Sequence, residues 1–277
     1  MKTLKRAVLF ICLMTCIGQV MAQTKGTEEM TVPLSDPGKP ATLEAHLLNG
    51  SIKVIGYEGK DVIVQVHLDS TKSEDEDRDD DSRGMKRIGT AGGLDVRAEE
   101  NENTVRINAG IESRKLLGIT IKVPQNTERI VVGTVNGGDI EVSNVSGKIE
   151  INNVNGAIMA IGISGSVVAN TVNGEIIVKF KTVDPKAAMA FSSLNGKIDV
   201  TLPADTKANL KLKSGNDEMF SDFDIDIDKS KPKVETKNED HYHQIKIDDW
   251  ILGKLNGGGS EIMMNSTYGS IYIRKAK

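Results

Sequence analysis

The residues with ligand or acid–base character fall in four places along this chain. Glu74-Asp-Glu-Asp-Arg-Asp-Asp-Asp81 sets seven carboxylates in eight residues, followed by Arg83, Lys86 and Arg87. Clustered carboxylates are hard oxygen ligands suited to calcium. The run has neither the glycine at the sixth position nor the closing glutamate of an EF-hand loop, so it reads as a solvated surface loop. Asp222, Asp224, Asp226 and Asp228 alternate with Phe223, Ile225 and Ile227. Such a ladder has cation-binding character, but it is more simply the wet face of an edge strand guarded against pairing. His241 and His243 share a face when extended, and without a third ligand they make a weak zinc site. Both cysteines, Cys12 and Cys16, lie at the extreme N-terminus.

No nucleophile–base constellation appears: there are four histidines in 277 residues and no cysteine after Cys16. The expected set of catalytic, cofactor-binding and metal residues is therefore empty, and no cofactor is expected.

The elements that hold these residues follow a repeat. From Val135 to Val200 the units are Val135-Asn-Gly-Gly-Asp-Ile-Glu-Val142, Val145-Ser-Gly-Lys-Ile-Glu-Ile151, Val154-Asn-Gly-Ala-Ile-Met-Ala160, Ile163-Ser-Gly-Ser-Val-Val-Ala169, Val172-Asn-Gly-Glu-Ile-Ile-Val178 and Leu194-Asn-Gly-Lys-Ile-Asp-Val200. The glycines of the first five, 137, 147, 156, 165 and 174, recur every nine residues, with one ten where Gly138 is inserted. A short fixed period marks an architecture in which each unit buries its apolar face only against its neighbours.

With the first aliphatic residue as position 0, aliphatics stand at 0, 4 and 6 and small or polar residues between them. This is the period of a strand with one buried face. An odd repeat forces one slip of the alternation per unit. The slip is expected at positions 7 and 8, the turn formers Ser143-Asn144, Asn152-Asn153 and Asn170-Thr171. Each unit buries two or three aliphatic side chains, worth roughly 1.5–3 kcal/mol apiece before entropy is subtracted. No unit stands alone.

Asn-Gly is also the strongest hairpin signal. A tight two-residue turn would pair Val145 with Lys148 and Val172 with Glu175 and turn the position-4 isoleucines outward, against the register a half-buried sheet specifies. A meander with three-residue loops keeps the register and remains the alternative. The favoured reading is an all-β fold, a β-solenoid (β-roll or β-helix) of about 18–20 residues per coil, with Ile140, Ile149, Ile158, Val167, Ile176 and Ile198 as an inward ladder.

In chain order, Met1 to Ala22 reads as a cleaved secretory signal. Lys2, Lys5 and Arg6 precede an apolar run, Ala7 to Val20, too short for a comfortable membrane span, and Val20-Met21-Ala22 supplies the small-residue site. Thr15 before Cys16 and Ile11 before Cys12 do not fit a lipoprotein signal. The 35 basic residues less those three leave 32 against 39 acidic, a net of −7 for residues 23–277. That argues against nucleic acid and anionic membrane as partners. Residues 23–277 read as one domain, with Asp69–Gly93 as an acidic surface loop.

Leu48-Asn-Gly-Ser-Ile-Lys-Val54 is already a unit, and Tyr57-Glu-Gly-Lys-Asp-Val62 opens a second. Lys181 to Ala190 and Lys229 to His243 read as loops. Leu255-Asn-Gly-Gly-Gly-Ser-Glu-Ile262 and Tyr268-Gly-Ser-Ile-Tyr-Ile273 read as two final rungs, after which no anchor or sorting motif follows.

The Val-Asn-Gly-x-Ile-x-Val rungs, Ser221-Asp-Phe-Asp-Ile225 and the closing Gly253-Lys-Leu-Asn-Gly-Gly-Gly…Tyr268-Gly-Ser-Ile-Tyr-Ile-Arg274 resemble the bacterial putative-adhesin family over roughly Ala41 to Arg274. The resemblance implies an exported, bladed or rolled β-helix of unknown function and supplies no catalytic or binding residues. The expected protein is exported to the periplasm, outer surface or exterior. There it serves as a non-enzymatic binding or structural protein for an envelope or extracellular ligand, protein or glycan. The alternative is a β-helix enzyme acting on a polysaccharide. Such an enzyme groups carboxylates and basic residues on one outer face. Glu141, Lys148, Glu150, Met159 and Glu175 show no such grouping in sequence.

Overall fold

The computed structural model describes residues 27–68, 96–109, 117–215, 218–229 and 250–277, and the backbone alone of 234–239 and 242–247. The leader 1–22, the whole acidic loop 69–93, and His241 with the His243 side chain lie outside the described residues. Every regular element among those described is a strand. The chain is all-β.

The nine-residue period resolves as two ladders that alternate along the chain. In the first ladder, β8 (Ile140–Ser143) lies parallel to the start of β10 (Ile158–Asn173), with Ile140 opposite Ile158. That in turn lies parallel to β11 (Ile176–Val183), with Ile158 opposite Ile176. In the second ladder, β9 (Ser146–Asn153) lies parallel to the later half of β10, with Ile149 opposite Val167. Each residue therefore faces the one 18 positions on, and two units make one coil. The meander is overturned, because consecutive Asn-Gly units pair in parallel, one coil apart, and never with each other across a turn.

Beyond this run, the first ladder continues through β13 (Ile198–Leu202) to β21 (Ile271–Lys275), and the second through β12 (Met189–Asn195) to β20 (Ser260–Ser266). Towards the N-terminal side, β7 (Thr127–Asn136) and β8 stack on the two halves of β2 (Ala41–Tyr57). β2 stacks in turn on β5 (Thr104–Ala109) and β6 (Leu117–Pro124).

Coil order in space departs from chain order at both ends. The first coil in sequence, β2, sits inside the later coil 104–124. The last, 260–275, sits inside the earlier coil formed by β14 (Ala208–Ser214) and β15 (Met219–Ser221). Antiparallel strands close the ends. β1 (Thr27–Val32) pairs with β3 (Val62–Leu68), β3 with β6, and β4 (Val96–Asn101) with β5. At the other end β19 (Ile251–Leu255) pairs with β14, and β16 (Ile225–Ile227) pairs with β19.

The core is the slab between the ladders. All six position-4 residues are buried, each 2 % exposed or less. So are the position-6 residues Val142, Ile151, Ala160, Ala169, Val178 and Val200. Position 0 corrects the sequence reading. Val145 and Ile163 are buried, but Leu48, Val135, Val172 and Leu194, which precede four of the Asn-Gly pairs, are 37–45 % exposed, and Val154 before Asn155-Gly156 is half-buried. The slip falls one residue later than expected in these units. Asn153 and Thr171 remain inward in their strands, whereas the expected turn at Ser143-Asn144 is present, with Asn144 at φ 53°. Ser166, an odd-position residue, is also buried.

Other elements are revised. Tyr57–Val62 is the turn into antiparallel β3 and begins no rung. The 181–190 loop shrinks to 184–188. Within 229–243 the backbone forms β17 (Val234–Glu239), which pairs antiparallel with β18 (Tyr242–Ile247). Leu255 ends a capping strand, so the first of the two final rungs starts only at Ser260, and together the two rungs, β20 and β21, make one coil.

Candidate functional site

The Asn-Gly dipeptides build a corner, and the corner explains the repeat. A Cβ on Gly156, Gly174, Gly196 or Gly269 would fall well inside van der Waals contact of the carbonyl oxygen of Gly138, Gly156, Gly174 or Gly196 respectively. The column runs through Gly138, so Gly137 is the inserted residue and the nine-residue spacing is unbroken. Beside it, each coil sends one polar side chain inward to the preceding coil's glycine carbonyl. Thr134 Oγ1 donates to Gly50 (2.8 Å), Asn153 Nδ2 to Gly138 (3.0 Å), Thr171 Oγ1 to Gly156 (3.1 Å), Ser193 Oγ to Gly174 (2.9 Å), Ser266 Oγ to Gly196 (2.8 Å) and Ser214 Oγ to Gly269 (3.0 Å). These bonds satisfy buried carbonyls at the bends.

Outside the column runs an amide ladder. Asn136 donates to Asn49 (3.1 Å), Asn173 to Asn155 (2.8 Å) and Asn195 to Asn173 (2.7 Å). The exposed aliphatic stripe of Leu48, Val135, Val172 and Leu194 lies alongside. The asparagines thus hold coils together along an edge whose outer surface is apolar.

The outer faces carry the charges, paired from coil to coil. Lys53 meets Glu141 at 2.6 Å, Arg129 meets Glu150 at 3.4 Å, Lys197 meets Glu175 at 3.0 Å, and Arg106 meets Glu44 at 2.8 Å. Arg274 Nε donates to both oxygens of Asp199 at 2.8 and 3.0 Å. The hydrogen bond to Glu175 holds the Lys197 ammonium above its ordinary pKa, and the bonds to Asp199 do the same for Arg274. Exposed pairs of this kind add little stability, typically about 0–1 kcal/mol each. They do neutralise the outward carboxylates that a sequence reading leaves unassigned.

One open groove of about 430 Å³ on the first ladder gathers Lys53, His67, Asp139 and Glu141. Sequence spacing hides this grouping, because its members come from β2, β3, β8 and the residue that precedes β8. Within it Glu141 is engaged by Lys53, and Asp139 Oδ1 accepts the Ala157 N–H at 2.7 Å.

The aspartate ladder does not form. Residues 219–228 leave the first ladder as β15, bend at 222–224 and join the second as β16, so they cross the open end of the slab. Phe223 turns in and is buried; Asp222 Oδ2 accepts the Lys275 N–H at 3.3 Å. No group of three His, Cys, Asp or Glu residues able to hold a metal occurs among the described residues. No described helix is long and apolar enough to cross a membrane.

The crossing segment roofs a cavity of about 250 Å³ lined mainly by apolar side chains, among them Leu212, Met219, Phe223, Ile225, Ile251 and Ile273. Around its mouth Phe220 is 53 % and Ile227 49 % exposed, and Phe220 stacks on Tyr272 with ring centres 5.2 Å apart. Sequence reasoning missed this site. The clue available was the concentration of aromatic residues after residue 219 in an otherwise aromatic-poor chain.

Among solved structures the chain is similar to a putative cell adhesion protein from Clostridium sporogenes, at 11 % identity and TM-score 0.40, covering 90 % of this chain and 100 % of that one. It is similar to a putative adhesin from Bacteroides fragilis, at 11 % identity and TM-score 0.41, covering 91 % and 98 %. It is also similar to a putative lipid binding protein from Parabacteroides distasonis, at 12 % identity and TM-score 0.33, covering 92 % and 98 %. Likenesses of this depth carry no argument about ligand or mechanism. No curated protein matches. Residues 134–249, the stretch that begins with the regular corners and ends before the final coil, match the family model Toastrack DUF4097. Over these residues, less than half of the chain, it is similar to that family, in agreement with the putative-adhesin resemblance of its rungs.

Proposed function

We propose that this chain is an exported, non-enzymatic β-solenoid, adhesin-like or envelope-associated, whose stack presents an extended surface to an envelope or extracellular ligand, protein or glycan. In this reading Met1–Ala22 is a cleaved leader and residues 23–277 form one domain with an acidic surface loop at 69–93. The carrying observation is the state of the outer faces. Charged side chains pair with partners in the next coil, while an ordered edge of aliphatic residues stays exposed. An array of this kind offers contact area. Repeat stacks characteristically use such extended surfaces for recognition.

Mass spectrometry of the native protein from fractionated cells tests the export step. A mature N-terminus at Gln23 in the periplasmic, surface or secreted fraction is expected. A chain retaining Met1, or carrying lipid on Cys16, contradicts it. A panel of envelope polysaccharides and surface proteins, assayed for binding and for turnover, tests the second step; saturable binding without turnover is expected.

The groove holding Lys53, His67, Asp139 and Glu141 favours the second reading, an enzyme acting on polysaccharide. Turnover that disappears in both Asp139→Asn and Glu141→Gln would establish that reading in place of the first.

A further inference from the structure

The C-terminal end of the stack is built differently from what a repeat end requires. Terminal units of stacked repeats normally carry a polar outer surface, because no further coil covers them. Here Phe220, Ile227, Ile251 and Leu252 are all exposed, 37–53 %, at one end, beside the cavity of about 250 Å³ under the crossing segment. We propose that this cavity is a binding site for the single alkyl chain of a zwitterionic amphiphile. The site is separate from the outer faces and does not depend on how they are used.

Three observations select that occupant. The lining is aliphatic and aromatic, with Leu212, Ile225, Ile251 and Ile273 on the walls and Phe223 on the roof, so its chemistry matches a hydrocarbon chain. A largely apolar concavity with a few polar groups at its rim is the usual form of a small-ligand site, and about 250 Å³ lies just under the usual range of about 300–1,000 Å³. That size suits one chain of medium length.

Both signs of charge stand next to the roof residue Phe223. The Lys275 ammonium lies 4.9 Å from the centre of the Phe223 ring, and exposed Asp222 and Asp224 flank Phe223 in the chain, Asp222 Oδ2 accepting the Lys275 N–H at 3.3 Å. A headgroup carrying phosphate and amine finds a partner for each.

The same end disfavours the other occupants. Its edge strands, β15 and β16, are three residues long, too short to seat an extended peptide by backbone pairing. A second copy docked end to end about a twofold axis would bring Asp222, Asp224, Asp226 and Asp228 of each chain towards those of the other, like charge against like.

The test uses the mature protein titrated by calorimetry with decylphosphocholine and, separately, with decyl maltoside, both below micelle formation. One-to-one binding of both is expected, several-fold tighter for the zwitterion. Ile225→Trp, which fills the cavity, should weaken both at least tenfold. Ile227→Trp at the mouth does the same should Ile225→Trp fail to fold. Lys275→Ala should weaken decylphosphocholine alone. The proposal is overturned by absence of saturable binding, by binding that ignores the tryptophan variants, or by a concentration-dependent dimer in light scattering that Ile227→Lys abolishes.

Discussion

Gly174→Ala isolates the corner column from every other role a glycine can have. Gly174 is not among the residues at positive φ, so an alanine there meets no backbone strain. Its cost comes from contact alone. The added Cβ would overlap the Gly156 carbonyl oxygen and lie 3.0 Å from the Ala157 nitrogen. Parallel strands stand about 4.7–4.9 Å apart, leaving no slack for a methyl group directed along the stack.

Relief requires the fourth and fifth coils to part locally, at the expense of three hydrogen bonds. These are Thr171 Oγ1 to the Gly156 carbonyl (3.1 Å), Gly156 N–H to the Asn173 carbonyl (2.9 Å) and Ile158 N–H to the Glu175 carbonyl (2.9 Å). At about 0.5–1.5 kcal/mol net for each bond, the loss is about 1.5–4.5 kcal/mol. Gly257→Asn is the control. Its site has φ 88° and nothing within 4 Å of an added Cβ, so it reports backbone strain without contact, and a cost of about 1 kcal/mol is expected for asparagine, the side chain that best tolerates positive φ. Urea melts measure both as a shift in midpoint at unchanged slope. Equal costs for the two variants, or a loss below about 0.5 kcal/mol for Gly174→Ala, would refute the steric column.

Three further outcomes are expected. Ile158→Ala should cost about 2–5 kcal/mol, as a fully buried large-to-small change, while Glu175→Ala, whose carboxylate pairs with exposed Lys197, stays within about 0.5 kcal/mol in the same melts. Glu100 accepts the Ser35 N–H and Oγ–H and the Asn103 N–H, and the Ser35 bonds chiefly hold its carboxyl below the ordinary glutamate value. The stability this contributes is present above the unfolded-state pKa and is lost as pH falls through the lower folded value. Glu100→Gln should therefore flatten the acid limb of a stability–pH curve and leave the neutral region's slope unchanged. Replacing Glu74–Asp81 by a Gly/Ser linker should leave the melting temperature nearly unchanged; a large loss, reproduced in the intact protein by calcium chelation, would restore the calcium reading.

What the sequence made legible was the part written at constant spacing. Ile140, Ile158 and Ile176 declare a column because each coil repeats the demand, and the same holds for Ile149 and Val167. The direction of Val135, Val172 and Leu194 was not legible. Nothing in Val-Asn-Gly says whether the alternation slips before or after the valine; that is decided by Asn153 and Thr171, which stay inward to reach glycine carbonyls in the neighbouring coil. The insertion of 260–275 beneath 208–221 was hidden for a different reason. Strands in both segments present the same alternating face, and only the tertiary register of Leu210 against Ile262 sets their order.

The end cavity was illegible because Leu212, Phe223, Ile251 and Ile273 meet only after the chain has crossed from one ladder to the other. The groove of Lys53, His67 and Glu141 needed three separated strands. Repetition is readable in one dimension; sites made where it stops are not.

The most direct test of the account is a thiol cross-link across 18 residues. Residues 23–277 contain no cysteine, so Asn155→Cys with Asn173→Cys introduces the only pair. These two positions bridge in parallel, and their side chains touch at 2.8 Å. Dibromobimane should staple this pair intramolecularly in the folded protein and not in urea. A pair built as Asn155→Cys with Glu175→Cys, one coil apart but offset by two residues, should react far less. Efficient stapling of the offset pair with failure of the 155–173 pair would contradict the 18-residue coil on which the whole account stands.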